Sequence, residues 1–350
     1  MPLSFAKNGF SQAVNTADDM LVTDIGKHEA SMLADVVKIT KGAFAPQRLL
    51  WRSDYFGTGK IGAFHYGGTY KGKPAVLKIQ GARPLISERW MIEQFARQNQ
   101  SKIIRSPQIF DTISWSDEKG YEAIIMEWVT GKKVLSSKKL LKRDEIENFF
   151  KIYEEYKLKA LTQAWLPKPP ISSAIRFDKL RTVAAQVKPK SVLRRPQDLE
   201  LVQRAENVLG KILDQTDLEF QHGHFSAEDL IIQGDQVVIF SNLFWKWTLP
   251  FADAVYAYHW IIYTLAEVEG ITLEKIELQR KLWLEEILQL PQVKNDRQRI
   301  LLNAALLERA VAGLLVDSLA YIGETNPVAE HMVSATRAEV KRLLIELQAN

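Results

Sequence analysis

Two patterns of apolar and polar residues divide this chain. From Leu49 to Trp128 the apolar positions fall in short, β-rich runs; after Gly131 they recur at helical spacing. The first region predicts strands at Leu49–Tyr55, Ile61–Tyr70 and Ala75–Ile79, the last two joined by a Lys71-Gly72-Lys73 turn. A helix should follow, with Ser87 as its cap and Ile92, Phe95 and Ala96 on its apolar side. Two more strands, Gln108–Trp115 and Tyr121–Trp128, flank the polar turn SDEKG. The second region predicts amphipathic helices at Asp144–Ala160 and Asp198–Leu213, then a loop and hairpin at 221–242. Four further helices should lie between Phe251 and Gln348, punctuated at Gly270, near Pro291 and at Pro327. Residues 1–47 read as an extension with a helix from Asp24 to Lys38, residues 48–130 as a small lobe, and 131–350 as a helical lobe. There is no internal repeat and no low-complexity tract.

Composition narrows the classes without choosing among them. The 350 residues are 46% hydrophobic and 25% charged, ordinary for a soluble globular chain of one large or two modest domains. A net charge of +4 is too small to imply nucleic-acid or membrane binding. With no cysteine there are no disulfides, no thiolate nucleophile and no cysteine-ligated metal. The amino-terminal residues lack a basic start followed by an apolar stretch, and no run approaches eighteen uncharged apolar residues. A cytoplasmic location is the expectation.

The residues with candidate chemistry come in a definite order. Gly57, Gly59 and Gly62, in FGTGKIGAF, would let a β-turn lie over phosphates with no Cβ intervening. Lys60 sits inside the glycine run and no Lys-Ser/Thr pair closes it, which excludes a Walker loop. Sixteen residues after Gly62 comes Lys78 in Ala75-Val76-Leu77-Lys78, where strand alternation sends Val76 and Lys78 to one face. Glu93, mid-helix, is its expected partner, with Glu88 second because a first-turn acid gains from the helix dipole unaided. An apolar strand then ends in the connector Met126-Glu127-Trp128-Val129-Thr130-Gly131, followed much later by His222-Gly223-His224-Phe225-Ser226-Ala227-Glu228-Asp229-Leu230.

Together these segments, over roughly Leu49 to Trp260, resemble the aminoglycoside phosphotransferase and choline kinase branch of the protein-kinase-like fold, whose catalytic loop reads H-G-D-x-x-x-x-N. The resemblance implies an α+β, two-lobed architecture, with a small five-stranded antiparallel lobe carrying one helix and a larger, mainly helical lobe. It implies ATP and magnesium as cofactors and a small hydroxylated molecule or a protein as partner. Gly57, Gly59, Gly62, Lys78, Glu93, Met126, Glu127 and Val129 would hold the nucleotide, with Met126 at the back of the pocket. His222 and Asp253 would brace the catalytic loop.

At three positions the chain departs from that pattern. His224 stands where the family has its catalytic aspartate, Asp229 where it has a metal-binding asparagine, and Ser241 where it has the second metal-binding aspartate. Catalytic roles are carried onto His224 and Asp229, and magnesium onto Asp229, with the site weakened by Ser241. The expected protein is therefore a nucleotide-binding, kinase-like chain with impaired or atypical phosphotransfer, a regulatory pseudokinase in kind. The alternative is an active phosphotransferase with His224 as base. A third reading, a metallohydrolase on His222, His224 and Asp229, lacks further ligands, since His28, His65, His259 and His331 are scattered. Two basic runs, Lys132–Arg143 and Lys168–Arg195, read as solvated surface, and Trp245 and Trp247 as packed into the helical lobe.

Overall fold

The computed structural model describes residues 19–54, 61–81, 86–136, 139–168, 196–265, 268–315 and 327–349. Its amino-terminal half is a sheet of five antiparallel strands: β1 (Phe44–Asp54), β2 (Ile61–Tyr70), β3 (Lys73–Gln80), β5 (Ile109–Ser116) and β6 (Tyr121–Glu127), in the order β1-β2-β3-β6-β5. Alternation on β3 decides what each face does. Ala75, Leu77 and Ile79 are fully buried, and their cross-strand partners Tyr66, Phe64, Ile125 and Ala123 extend the same apolar face. Helix α1 (Asp19–Ile39) covers that face with Met32, Leu33 and Val36. Two acids fix it there, buried Glu29 accepting from Tyr66 and partly buried Asp35 from Tyr121. The opposite face, with Val76 and Lys78, is turned toward helix α2 (Glu88–Gln98).

Expected and observed elements agree in kind and differ at their ends. β1 begins at Phe44, inside what reads as extension, because the chain leaves α1 through Lys41 and Gly42, both at positive φ, and turns directly onto the sheet edge. The helix expected to run to Ala160 is α3 (Arg143–Glu155), followed by a π-helical turn at Tyr156–Ala160. That turn carries Tyr156, fully buried, toward the catalytic-type loop.

The helical half comprises α3, α4 (Pro196–Leu213), α5 (Ala252–Thr264), α6 (Leu273–Gln289), α7 (Asp296–Leu315) and α8 (Pro327–Gln348). Its core is built round Phe149, Phe150, Tyr153, Tyr156, Phe225 and Trp283 in mostly edge-on contacts. Met91 and Phe95 of α2 belong to this second core, so α2 packs on the helical half although the chain places it inside the sheet half.

A small second sheet joins the two halves. β4 (Ile104–Arg105) runs parallel to β10 (Gln236–Ile239), which pairs with β9 (Leu230–Gln233), and β9 with β7 (Lys132–Lys133). Arg105 crosses the junction. It donates to Gln236 at 2.9 Å, to Gln233, and to both carboxylate oxygens of Glu127 at the end of β6. Among the described residues no helix is long and apolar enough to cross a membrane.

Candidate active site

The loop after β8 (Glu219–Gln221) is held from beneath by two buried side chains. Asp253, in the first turn of α5, accepts the backbone N–H of His222 at 3.0 Å and of Gly223 at 2.8 Å. Tyr156 donates its hydroxyl to the same carboxylate at 3.0 Å and accepts from the His222 N–H at 2.8 Å. Burial and the nearby Asp253 push the Tyr156 phenol up, so it stays a donor. Gly223 has φ +76°, and a Cβ there would lie 2.5 Å from the Phe244 carbonyl oxygen. Only glycine allows the loop to turn this tightly against its neighbour. His222 is fully buried edge-on to Trp245, and burial pushes its imidazole down.

Above this support His224, Asp229 and Ser241 meet. His224 Nδ1 lies 2.7 Å from Asp229 Oδ2; Ser226 donates to the same oxygen at 2.7 Å; and Ser241 donates to Asp229 Oδ1. Burial opposes ionisation of Asp229, but the charge and hydrogen bond of His224 with the two serine hydroxyls outweigh it and hold the carboxyl at about 2. The carboxylate is therefore ionised, buried and bonded through both oxygens. Phe244 stacks on the His224 ring at 4.6 Å, Tyr256 packs on it at 4.6 Å, and a quarter of the His224 side chain stays exposed. Ser241 reaches this position in a left-handed conformation, φ 59° and ψ 37°, at the end of the hairpin.

On the sheet side, Lys78 forms an ion pair with Glu88, both largely buried. The expected partner, Glu93, instead bonds Arg89 at 2.8 Å on the surface. The reason is helical geometry. α2 begins at Glu88, whose 4% exposure marks the buried face with Met91, Ile92 and Phe95; Glu93 lies off that face. A second acid, Glu122, sits close by on β6, its carboxyl raised by burial and by Glu88. His65, paired with Lys78 across β2 and β3, is pushed down to about 3 by burial and by that lysine, so it is neutral.

Of the remaining expected nucleotide contacts, Gly57 and Gly59 lie outside the described residues, and Gly62 lies in β2. Met126 and Val129 are buried at the connector. The Glu127 side chain is engaged by Arg105 and by the Gln108 N–H, and its own N–H bonds the Gln108 carbonyl, so that residue serves the lobe junction. The Trp128 N–H bonds the Pro74 carbonyl, and its ring lies on Gly67 beneath Arg48. Trp245 and Trp247 both pack on Phe220 of the helical lobe, and Trp247 donates to the Leu166 carbonyl at 2.9 Å.

These side chains do not fit a magnesium site of the expected kind. Asp229 is the one carboxylate among His224, Asp229 and Ser241, and three protein groups already occupy it. Glu228 pairs with Lys133. Among the described residues no group of three His, Asp or Glu side chains is placed to hold a metal ion, which also removes the geometric basis for a metallohydrolase.

Sequence reasoning missed Arg105, Tyr156 and Ser226. Arg105 and Tyr156 stand in no motif and act through partners more than sixty residues away, and Ser226, a variable position of the loop motif, acts through a turn that only the fold creates.

No protein-family model and no curated protein matches the sequence. Solved structures do match the fold. Amicoumacin kinase hAmiN, in complex with AMP-PNP, Ca2+ and Ami, aligns with TM-score 0.59 at 14% identity, covering 90% of this chain and 96% of that one. A thermostable aminoglycoside phosphotransferase APH(4)-Ia mutant, in ternary complex with ADP and hygromycin B, aligns with TM-score 0.57 at 10% identity over 89% and 97%. Choline kinase from Cryptosporidium parvum Iowa II gives 0.54 at 15% over 87% and 91%. The chain has the two-lobed kinase-like phosphotransferase fold of the aminoglycoside and choline kinase type.

Proposed function

We propose that this chain is a nucleotide-binding protein of kinase-like fold in which phosphoryl transfer to an acceptor is impaired or atypical, with a regulatory role in the cytoplasm. One observation carries the reading: Asp229 is bonded through both oxygens to His224, Ser226 and Ser241. Phosphoryl transfer depends mainly on positioning and on neutralising phosphate charge, usually through magnesium held by carboxylates. Here Ser241 offers no charge and the charge of Asp229 serves protein donors. Losing a general base alone costs ~10² to 10⁴ in rate; losing the metal carboxylate as well removes the larger contribution. On the other side of the cleft the Lys78–Glu88 pair supports phosphate binding, with Val129 at the connector as the backbone group to read a base. The solved neighbours in complexes with ADP or AMP-PNP make a nucleotide the favoured ligand.

The active alternative is favoured by one feature, the His224–Asp229 hydrogen bond, which orients an imidazole as a base would be oriented. It would transfer a phosphoryl group from ATP to a small hydroxylated acceptor. Steady-state ATP consumption in magnesium separates the two. The proposed reading expects no turnover above buffer. Magnesium-dependent turnover abolished by Lys78→Ala and by Asp229→Ala would establish the alternative instead.

A further inference from the structure

We propose that His224 is itself a phosphoryl acceptor, taking the γ-phosphoryl group of a nucleoside triphosphate on Nε2 to give a phosphohistidine. This rests on the reading of the cleft as a nucleotide site, and it assigns that site a chemistry other than transfer to a bound alcohol. The geometry is that of a prepared nitrogen nucleophile. Asp229, buried, lies 2.7 Å from Nδ1, and a proton held on Nδ1 against it leaves the lone pair on Nε2. Phe244 and Tyr256 pack on the ring at 4.6 Å, so its exposed quarter has few orientations open to it. Ser226 and Ser241 fix the carboxylate that fixes the ring.

The substitutions that spoil transfer to an alcohol favour transfer to this ring. An alcohol must be deprotonated, whereas an imidazole with its proton on Nδ1 attacks through the Nε2 lone pair. A carboxylate at position 224 would repel the triphosphate; His224 brings no negative charge. Ser241 likewise places no negative charge beside the phosphates. In the step, Nε2 attacks the γ-phosphorus and the Nε2–P bond forms. The bond from γ-phosphorus to the β,γ-bridging oxygen breaks, and its electron pair leaves with the nucleoside diphosphate. No proton leaves Nε2, and the positive charge on the ring is held by Nδ1–H against Asp229.

The test uses the full chain and ATP labelled at the γ-phosphate, in magnesium buffer, with ATP binding measured on the same preparation by calorimetry. The expected product is up to one phosphate per chain, stable to alkali and lost in acid, and mapped by mass spectrometry to His224. His222 is an internal control, since it is fully buried and stays unlabelled. Asp229→Asn places an amide donor against Nδ1 and moves the lone pair there, so labelling slows by on the order of 10³-fold. His224→Gln abolishes the label. Binding without any label on His224 overturns this proposal and leaves the nucleotide site standing. An acid-stable label on a serine overturns it as well. Absence of ATP binding removes both readings together.

Discussion

The sheet and the loop that begins at His222 hold their charged side chains in different ways. On the sheet side, Lys78 and Glu88 form a pair that is 13% and 5% exposed. On the helical side, Asp253 and Tyr156 hold the loop at His222 and Gly223, and above it His224 and Ser241 both bond Asp229. Scaffold and chemistry are thus separable in this fold. A loop is positioned by buried backbone hydrogen bonds, which any reactive side chain can inherit, so a changed reaction does not require a changed fold.

The largest expected effect tests the scaffold. Asp253→Ala leaves two buried N–H groups and the Tyr156 hydroxyl without their acceptor, and should cost about 3–5 kcal/mol in urea unfolding. A loss under about 1 kcal/mol would show that the loop does not depend on this brace. Next comes the sheet wall. Glu88→Gln strips a buried lysine of its counter-charge and should cost about 3 kcal/mol, with Lys78→Ala similar in stability and without nucleotide binding. Glu93→Ala, which breaks only an exposed pair with Arg89, should cost no more than ~0.5 kcal/mol. Equal losses at 88 and 93 would erase the distinction between the two acids.

A third experiment reverses the helical wall. Ser241→Asp sets a second carboxylate against Asp229, so the variant should melt below the wild type by the equivalent of about 1–3 kcal/mol and recover when magnesium is added. Melting that ignores magnesium would mean that charge at this position is not what the site lacks.

A further effect is the acid limb. Asp229 is held at about 2 in the folded chain, below the ~3.9 of an unfolded aspartate. Its contribution, about 2 kcal/mol, is complete above pH ~4 and is lost as pH falls through about 2. Unfolding followed from pH 6 to pH 2 should show this slope in the wild type and a shallower one in Asp229→Asn.

Much of this layout is legible in the residues. Alternation on β3 placed Lys78 on the cleft face, and the run from His222 to Asp229 identified the loop, because period and motif are local properties of a chain. The partner of Lys78 was misjudged because it depends on where α2 starts. Glu88 opens that helix and lies on its buried face, whereas mid-helix position alone favoured Glu93. The engagement of Asp229 by Ser226 and Ser241 was out of reach for another reason. It depends on a 3₁₀ turn at Ala227–Asp229 and a left-handed residue at 241, conformations that composition does not announce. Arg105, which ties Glu127 to Gln233 and Gln236, joins segments 22 and more than 120 residues apart.

The central claim is that the sheet wall still grips a nucleotide while the helical wall no longer offers it a metal. Calorimetric titration of ATP into wild type and Lys78→Ala, each with magnesium and with EDTA, addresses both halves at once. The expected result is saturable binding to the wild type that changes less than about threefold between magnesium and EDTA and disappears in Lys78→Ala. Binding that requires magnesium, or that survives the loss of Lys78, would contradict it.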